Sequence, residues 1–266
     1  MRVIGVDLAW GPRNCTGVCV VEDGRVLDSA CLLSDDEIVS WIRAWDGGEL
    51  LVAFDAPLIV RNRTGRRACE NVIASAFAAE HAVPYPANLT LLRGVVRAAR
   101  LSRRLRLRTT PVRASDKAQV RAAIEVFPHP ALVVFLSRKK RLPYKAKQNR
   151  PLAVRHAAMA ELVQGLLDFK RADPPLDVTA SPAWPRLAGA VAAATARGAS
   201  LAALKRAEDE LDAYVCAYIA CYHLAWAGTR SLTIGDGRDG YIVTPVTPRH
   251  AALVRERAAA TGVAVS

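Results

Sequence analysis

The chain has 266 residues, 52% of them apolar, enough for one large domain or two small ones with a sizeable core. It carries 37 Lys plus Arg against 25 Asp plus Glu, a formal net charge of +12, which points to a polyanionic partner. No stretch of about 18 uncharged apolar residues occurs, and the N-terminal MRVIGVDLAW lacks the basic region and longer apolar run of a signal peptide. A membrane span and a leader are therefore not expected, and a cytoplasmic protein is.

In chain order, residues 2–9 read as a short apolar strand. Residues 16–22 and 25–33 are two more, joined by Asp23-Gly24, a strong hairpin signal. Ser34 opens a helix, with Glu37 three residues on as a capping box, and Gly47-Gly48 ends it. Residues 49–55 are apolar without alternation, as expected for a strand buried on both faces, and Pro57 stops it. A basic loop leads into the helix ACENVIASAFAAE, and a basic helix is expected near residues 90–105. Residues 122–127 are a fifth strand, stopped by Pro128. ALVVFLSRKK leans to helix, and residues 150–168 form an amphipathic helix. Residues 171–185, with four prolines, read as a loop before a long helix at roughly 201–227. A terminal hairpin (231–234 and 240–244) and a last helix (249–260) close the chain. Three antiparallel strands come first. The helix-linked strands then run parallel to the first, because a crossover intervenes. The expectation is an α/β fold with a mixed five-stranded sheet flanked by helices. It is read as one domain over residues 1–266, with a helical insertion at about 61–121.

The positive charge is clustered. Arginines stand at 93, 97, 100, 103, 104, 106, 108 and 113, and SRKKRLPYKAKQNR (137–150) adds seven basic residues. The six cysteines (15, 19, 31, 69, 216 and 221) form no C-x-x-C pair and lie mostly in apolar runs. Buried free thiols in a reducing compartment are expected, without a structural zinc site.

Against this basic background, acids end or interrupt three apolar strand-like runs, and a further pair sits on a helix just before it becomes almost wholly apolar. They are Asp7 in VIGVDLAW, Asp55 in LLVAFDAPL, Glu125 in AAIEVFPHP, and Asp209 with Asp212 in EDELDAYVCAY. A carboxylate at the end of a buried strand is costly without a partner. In open α/β sheets, ligands bind outside the carboxyl ends of the strands. Were the first, fourth and fifth strands parallel neighbours, Asp7, Asp55 and Glu125 would converge on one edge, and a helix crossing it could add Asp212, with Asp209 more peripheral. Such a cluster calls for divalent cations, and oxygen ligands suit Mg2+ or Mn2+.

These segments, GVDLAW, AFDAPL, RRACE, EVFPHPAL and DELDAYVCAY in that order, resemble the family called domain of unknown function 429, from residue 3 to about residue 245. The resemblance implies an RNase H-like fold and the activity of a predicted nuclease. It matches Asp7 on the first strand, Asp55 with Pro57 after the fourth, Glu125 before Pro128, and Asp209, Asp212 and Ala213 on the late helix. The expected function is a metal-dependent nuclease acting on DNA or RNA, with Asp7, Asp55, Glu125 and Asp212 catalytic and Asp209 a further metal ligand.

Four other residues are candidate substrate contacts. Arg67, three residues before Glu70, could bind phosphate or orient Asp55. Lys145 could meet the scissile phosphate, His129 could pass a proton to the leaving group, and Trp10 could stack on a base. Each also has an ordinary structural reading. Two other functions compete. One is a non-catalytic nucleic-acid-binding protein on the same fold. The other is a phosphotransferase of the sugar-kinase or actin type, which shares the early G-x-D strand but needs a glycine-rich phosphate loop that WGPRNCTG does not supply.

Overall fold

The structure is a computed structural model, and it describes residues 1–9, 11, 14–112, 120–146, 149–193 and 201–266. Five strands, β1 (Arg2–Asp7), β2 (Thr16–Glu22), β3 (Arg25–Leu32), β4 (Leu50–Phe54) and β5 (Arg121–Glu125), form one sheet in the order β3-β2-β1-β4-β5. β1, β2 and β3 are antiparallel neighbours, and β4 and β5 run parallel to β1. This is the mixed sheet expected from the order of the elements. Asp23 and Gly24 both adopt positive φ, 49° and 70°, the conformation that a tight two-residue hairpin turn requires.

Helix α1 (Asp35–Ala44) begins as its sequence dictates. The Ser34 side chain accepts a hydrogen bond from the Glu37 amide at 3.1 Å, and the Glu37 carboxylate accepts one from the Ser34 amide at 2.7 Å. Helices α2 (Ala68–Ala76) and α3 (Arg97–Arg104) follow β4, and α4 (Pro128–Phe135) follows β5. α3 is shorter than the basic run suggests, because Arg93 and Gly94 turn the chain with φ of 51° and 74°. Helix α5 (Leu152–Asp168) matches its amphipathic segment. Helix α6 (Trp184–Ala193) begins at the end of the proline-rich loop expected over 171–185 and fills a stretch to which the sequence assigns no element. Pro185 falls in its first turn, where proline costs no hydrogen bond. The long helix α7 (Leu201–Trp226), a hairpin of β6 (Ser231–Asp236) and β7 (Gly240–Pro245), and α8 (Pro248–Thr261) complete the chain. Among the described residues no helix is long and apolar enough to cross a membrane.

Alternation along the strands divides the core. One face of the sheet, with Val3, Cys19, Val21, Leu51, Ala53, Ala122 and Ile124, packs on α4, α5, α6 and α7. The other, with Ile4, Val6, Val18, Val20, Val52, Phe54 and Ala123, packs on α1 and α3. A third cluster joins α2, α8 and the β6–β7 hairpin. Two glycines decide how closely α7 crosses the first face. A Cβ on Gly5 would stand 2.0 Å from the Ala213 carbonyl oxygen, and one on Gly17 would stand 1.9 Å from that of Asp209. Backbone therefore lies directly on backbone, and Asp209 and Asp212 are carried to the ends of β2 and β1.

Three arginines of the cluster are engaged by acids of the chain itself. Arg97 and Arg100 reach Asp35 at 2.7 and 2.6 Å, and Arg104 reaches Asp36 at 2.5 Å, so α3 is clamped to the acidic first turn of α1. Arg103, Arg106 and Arg108 are exposed, and Arg113 lies outside the described residues.

The cysteines depart from the expectation of six free thiols. Cys15 and Cys31 are joined in a disulfide, while Cys19, Cys69 and Cys216 are buried thiols and Cys221 is half-buried. The β2–β3 ladder sets Thr16 opposite Leu32 and Gly17 opposite Cys31. That leaves the Cα atoms of Cys15 and Cys31 5.6 Å apart, within bonding range. Spacing along the chain gave no hint of this pairing.

Candidate functional site

Asp7 is the last residue of β1, and Asp55 directly follows β4. The Asp55 amide donates to the Val6 carbonyl at 2.9 Å, so the parallel ladder places the two acids side by side at its carboxyl end. Both follow the alternation of Val3, Leu51 and Ala53 and so belong to the face on which α7 lies. Asp212 comes down onto the same spot from α7 and is fully buried.

Two of these acids, Asp212 and Asp7, share one cation, which belongs to the chain itself. The Lys145 ammonium is 2.5 Å from Asp212 Oδ2 and 3.8 Å from Asp7 Oδ2. The Tyr144 hydroxyl donates to Asp212 Oδ1 at 2.6 Å. Burial pushes the Asp212 carboxyl up to about 7, with Lys145 opposing the rise and Asp7 and Glu208 adding to it. Burial likewise raises Asp55 well above the carboxylate range and raises Asp7, again with Lys145 opposing. Lys145 keeps its proton firmly. Burial alone would lower its pKa, but Asp212 and Asp7 hold it well above the usual lysine value.

Glu125 stands apart. It is in register with Phe54 and not with Asp55, so alternation turns it from the face of Asp7 and Asp55, although it lines the same cavity and helps to raise the Asp55 carboxyl. Arg67 grips it with two nitrogens at 2.5 and 2.8 Å, and the Leu58 amide donates to it at 3.0 Å. Arg67 also donates to Glu70 at 2.8 and 3.0 Å, and Glu70 in turn accepts from the Ala87 amide at 3.1 Å. With side chains only 3% and 5% exposed, Arg67 and Glu125 form a closed structural clamp. Arg67 thus engages Glu125 rather than Asp55, and its guanidinium is fully used by protein oxygens.

The acids at the start of α7 are buried too, rather than forming a solvated helix face. Asp209 pairs with Lys205, Glu208 with Arg155 at 2.8 Å and Lys205 at 3.0 Å, and Glu210 with Arg186 at 2.7 Å. These partners carry no motif, and sequence reasoning missed them. Tyr144 was also missed, although it adjoins the singled-out Lys145.

Asp7, Asp55 and Lys145 line a cavity of 660 Å³ together with Glu125, His129, Asp209, Arg66, Arg141 and Lys205. His129 stands at its wall, its ring 5.8 Å from that of Tyr144 and 5.7 Å from that of Phe127. Tyr85, 69% exposed between Pro84 and Pro86, lies at the same cavity. Trp10 lies outside the described residues.

A family model described as "Protein of unknown function (DUF429)" matches residues 5–239. The chain belongs to that family. The matched span contains every acid of the cavity and ends within the β6–β7 turn. No curated protein and no solved structure matches the chain.

Proposed function

We propose that this member of the family is a divalent-metal-dependent nuclease of RNase H-like fold that hydrolyses nucleic-acid phosphodiester bonds. The observation that carries the reading is the meeting of Asp7, Asp55 and Asp212, three carboxylates from three elements, at the carboxyl end of the sheet, where Asp7 and Asp212 share the Lys145 ammonium. Several carboxylates at one point are repulsive without positive charge. Their hard oxygen donors fit Mg2+ or Mn2+. Asp7, Asp55 and Asp212 would hold the ion, with Asp209 at the periphery. Glu125 serves them indirectly, by fixing Arg67 and the end of β5.

A bound Mg2+ or Mn2+ would supply Lewis acidity and a nucleophile of lowered pKa. The remaining work belongs to side chains of the cavity. Lys145 neutralises Asp212 and Asp7 in the metal-free chain and has a side chain 25% exposed, so it can turn outward to meet a substrate phosphate. His129, which lines the wall, would hand a proton to a leaving oxygen. Arg66, Arg141 and Lys205 give the cavity cations that suit a phosphate backbone.

A second reading is favoured by one feature. Asp7 and Asp212, Glu125, Glu208 and Asp209 each already have a side-chain cation as partner. On that reading the acids are structural and the protein binds nucleic acid without cutting it. Labelled single-stranded, duplex and branched DNA and RNA, incubated with Mg2+ or Mn2+, decide between the two. Cleavage by the wild type that is absent in Asp212→Asn supports the nuclease. Binding without cleavage, together with no calorimetric Mn2+ signal, supports the second reading. In both cases binding weakens steeply with salt, because the contacts are to phosphate.

A further inference from the structure

We propose that Cys15, Cys31 and Asp209 form a second metal site, for a thiophilic divalent cation of the Zn2+ or Cd2+ kind, which exists only while the two cysteines are reduced. The three residues offer two sulfurs and a carboxylate oxygen that all lie within 4.8 Å of one another. They come from three separate elements. Cys15 precedes β2, Cys31 is on β3 and Asp209 is on α7. The frame that holds them is rigid, since Gly17 faces Cys31 across the ladder and its backbone lies directly on that of Asp209. Cys15 and Cys31 are half-buried, so ions can reach them, and Cys15 and Asp209 line the cavity.

The donor set differs in kind from that of Asp7, Asp55 and Asp212. Thiolates select soft or borderline metals, whereas oxygen-only ligands suit Mg2+ and Mn2+. Three protein ligands with one position left open is an arrangement zinc adopts at reactive sites. Lys205, which pairs with Asp209, must give way. Its side chain is 47% exposed, and Glu208 remains its partner at 3.0 Å. In the disulfide form both sulfur donors are consumed. Reduction by an external dithiol transfers two electrons and two protons to the sulfur–sulfur bond, yielding two thiols and the dithiol's own disulfide. A metal ion then enters with release of the thiol protons to solvent. The site does not depend on the nuclease reading and stands or falls without it.

The test uses the full chain, prepared once as the disulfide and once reduced with the reductant removed, and titrated with Cd2+ or Co2+. The readout is thiolate-to-metal charge-transfer absorption. The reduced wild type should develop the band and saturate at one equivalent, while the disulfide form stays silent. Cys15→Ser and Cys31→Ser should each lose the band while circular dichroism reports a folded chain, and Cys221→Ser should keep it. Asp209→Asn should keep the band with affinity reduced about tenfold or more, no less than the loss on removing a group outside a ligand shell. A folded, reduced wild type without the band overturns the proposal. So does a band that survives both cysteine substitutions, or one that appears equally in the disulfide form. Unchanged affinity in Asp209→Asn removes the carboxylate from the site and overturns the three-ligand assignment.

Discussion

Asp212 and Glu125 are both buried carboxylates near the carboxyl end of the sheet, yet they are held in opposite ways. Glu125 is gripped by the planar fork of Arg67 through two hydrogen bonds, and that arginine is itself locked by Glu70. Asp212 is held by the flexible Lys145, whose side chain remains partly exposed, and by the Tyr144 hydroxyl. An arginine fork is preorganised and always charged, whereas a lysine is a point charge on a mobile stem. The first arrangement builds the wall, and the second leaves an acid whose partner can be exchanged.

That contrast can be broken most sharply by removing charge from the Lys145 group. Asp7→Asn is expected to lose cleavage altogether while binding labelled nucleic acid almost as the wild type does. A variant that cuts at the wild-type rate in a clean preparation refutes the nuclease reading. The clamp should respond in stability instead. Arg67→Met leaves Glu125 and Glu70 buried without their cation, which costs about 3–5 kcal/mol, measured by urea unfolding. A loss below about 1 kcal/mol would show that water replaces the guanidinium.

Smaller effects separate the two groups further. Lys145→Met removes the internal competitor for the cation position, so Mn2+ should bind about tenfold more tightly, a difference of about 1.4 kcal/mol. Calorimetry measures it, and weaker binding would instead make Lys145 a support of the site. The last test is the pH dependence of the metal-free chain. The Asp212 carboxyl is raised from 3.8 to about 7 in the folded state. Between those values the folded chain holds more protons than the unfolded one. Its contribution to stability is therefore complete below 3.8 and is lost as the pH climbs to about 7. Unfolding in chelator across that range should show the decline, and Asp212→Asn should flatten it.

Much of this was legible in the chain. The order of the elements and the need for crossovers gave the sheet. The Ser34–Glu37 box gave α1, acids ending apolar runs marked Asp7 and Asp55, and the apolar stretch after it marked Asp212. Glu125 also ends an apolar run, and only the ladder register, which sets it opposite Phe54 and not Asp55, distinguishes it. Other features left no local trace. Clustered arginines point to a polyanion, but Arg97, Arg100 and Arg104 of α3 are drawn to the acidic first turn of α1. The disulfide between Cys15 and Cys31 depends on β-ladder register.

What the sequence determined by itself is therefore periodic and local: which residues are strand or helix, which faces are apolar, and where carboxylates interrupt them. These follow from backbone geometry repeating every two or 3.6 residues. Only the tertiary structure decided which charge meets which. Gly5 and Gly17 let α7 settle onto the sheet, and that contact brings Asp212 to Asp7 and Lys145, and Asp209 to Cys15 and Cys31. Partner choice among buried ions turns on a few ångströms of approach, because Coulomb energy and desolvation both change steeply at that scale. No run of residues encodes such a distance until the helix is packed.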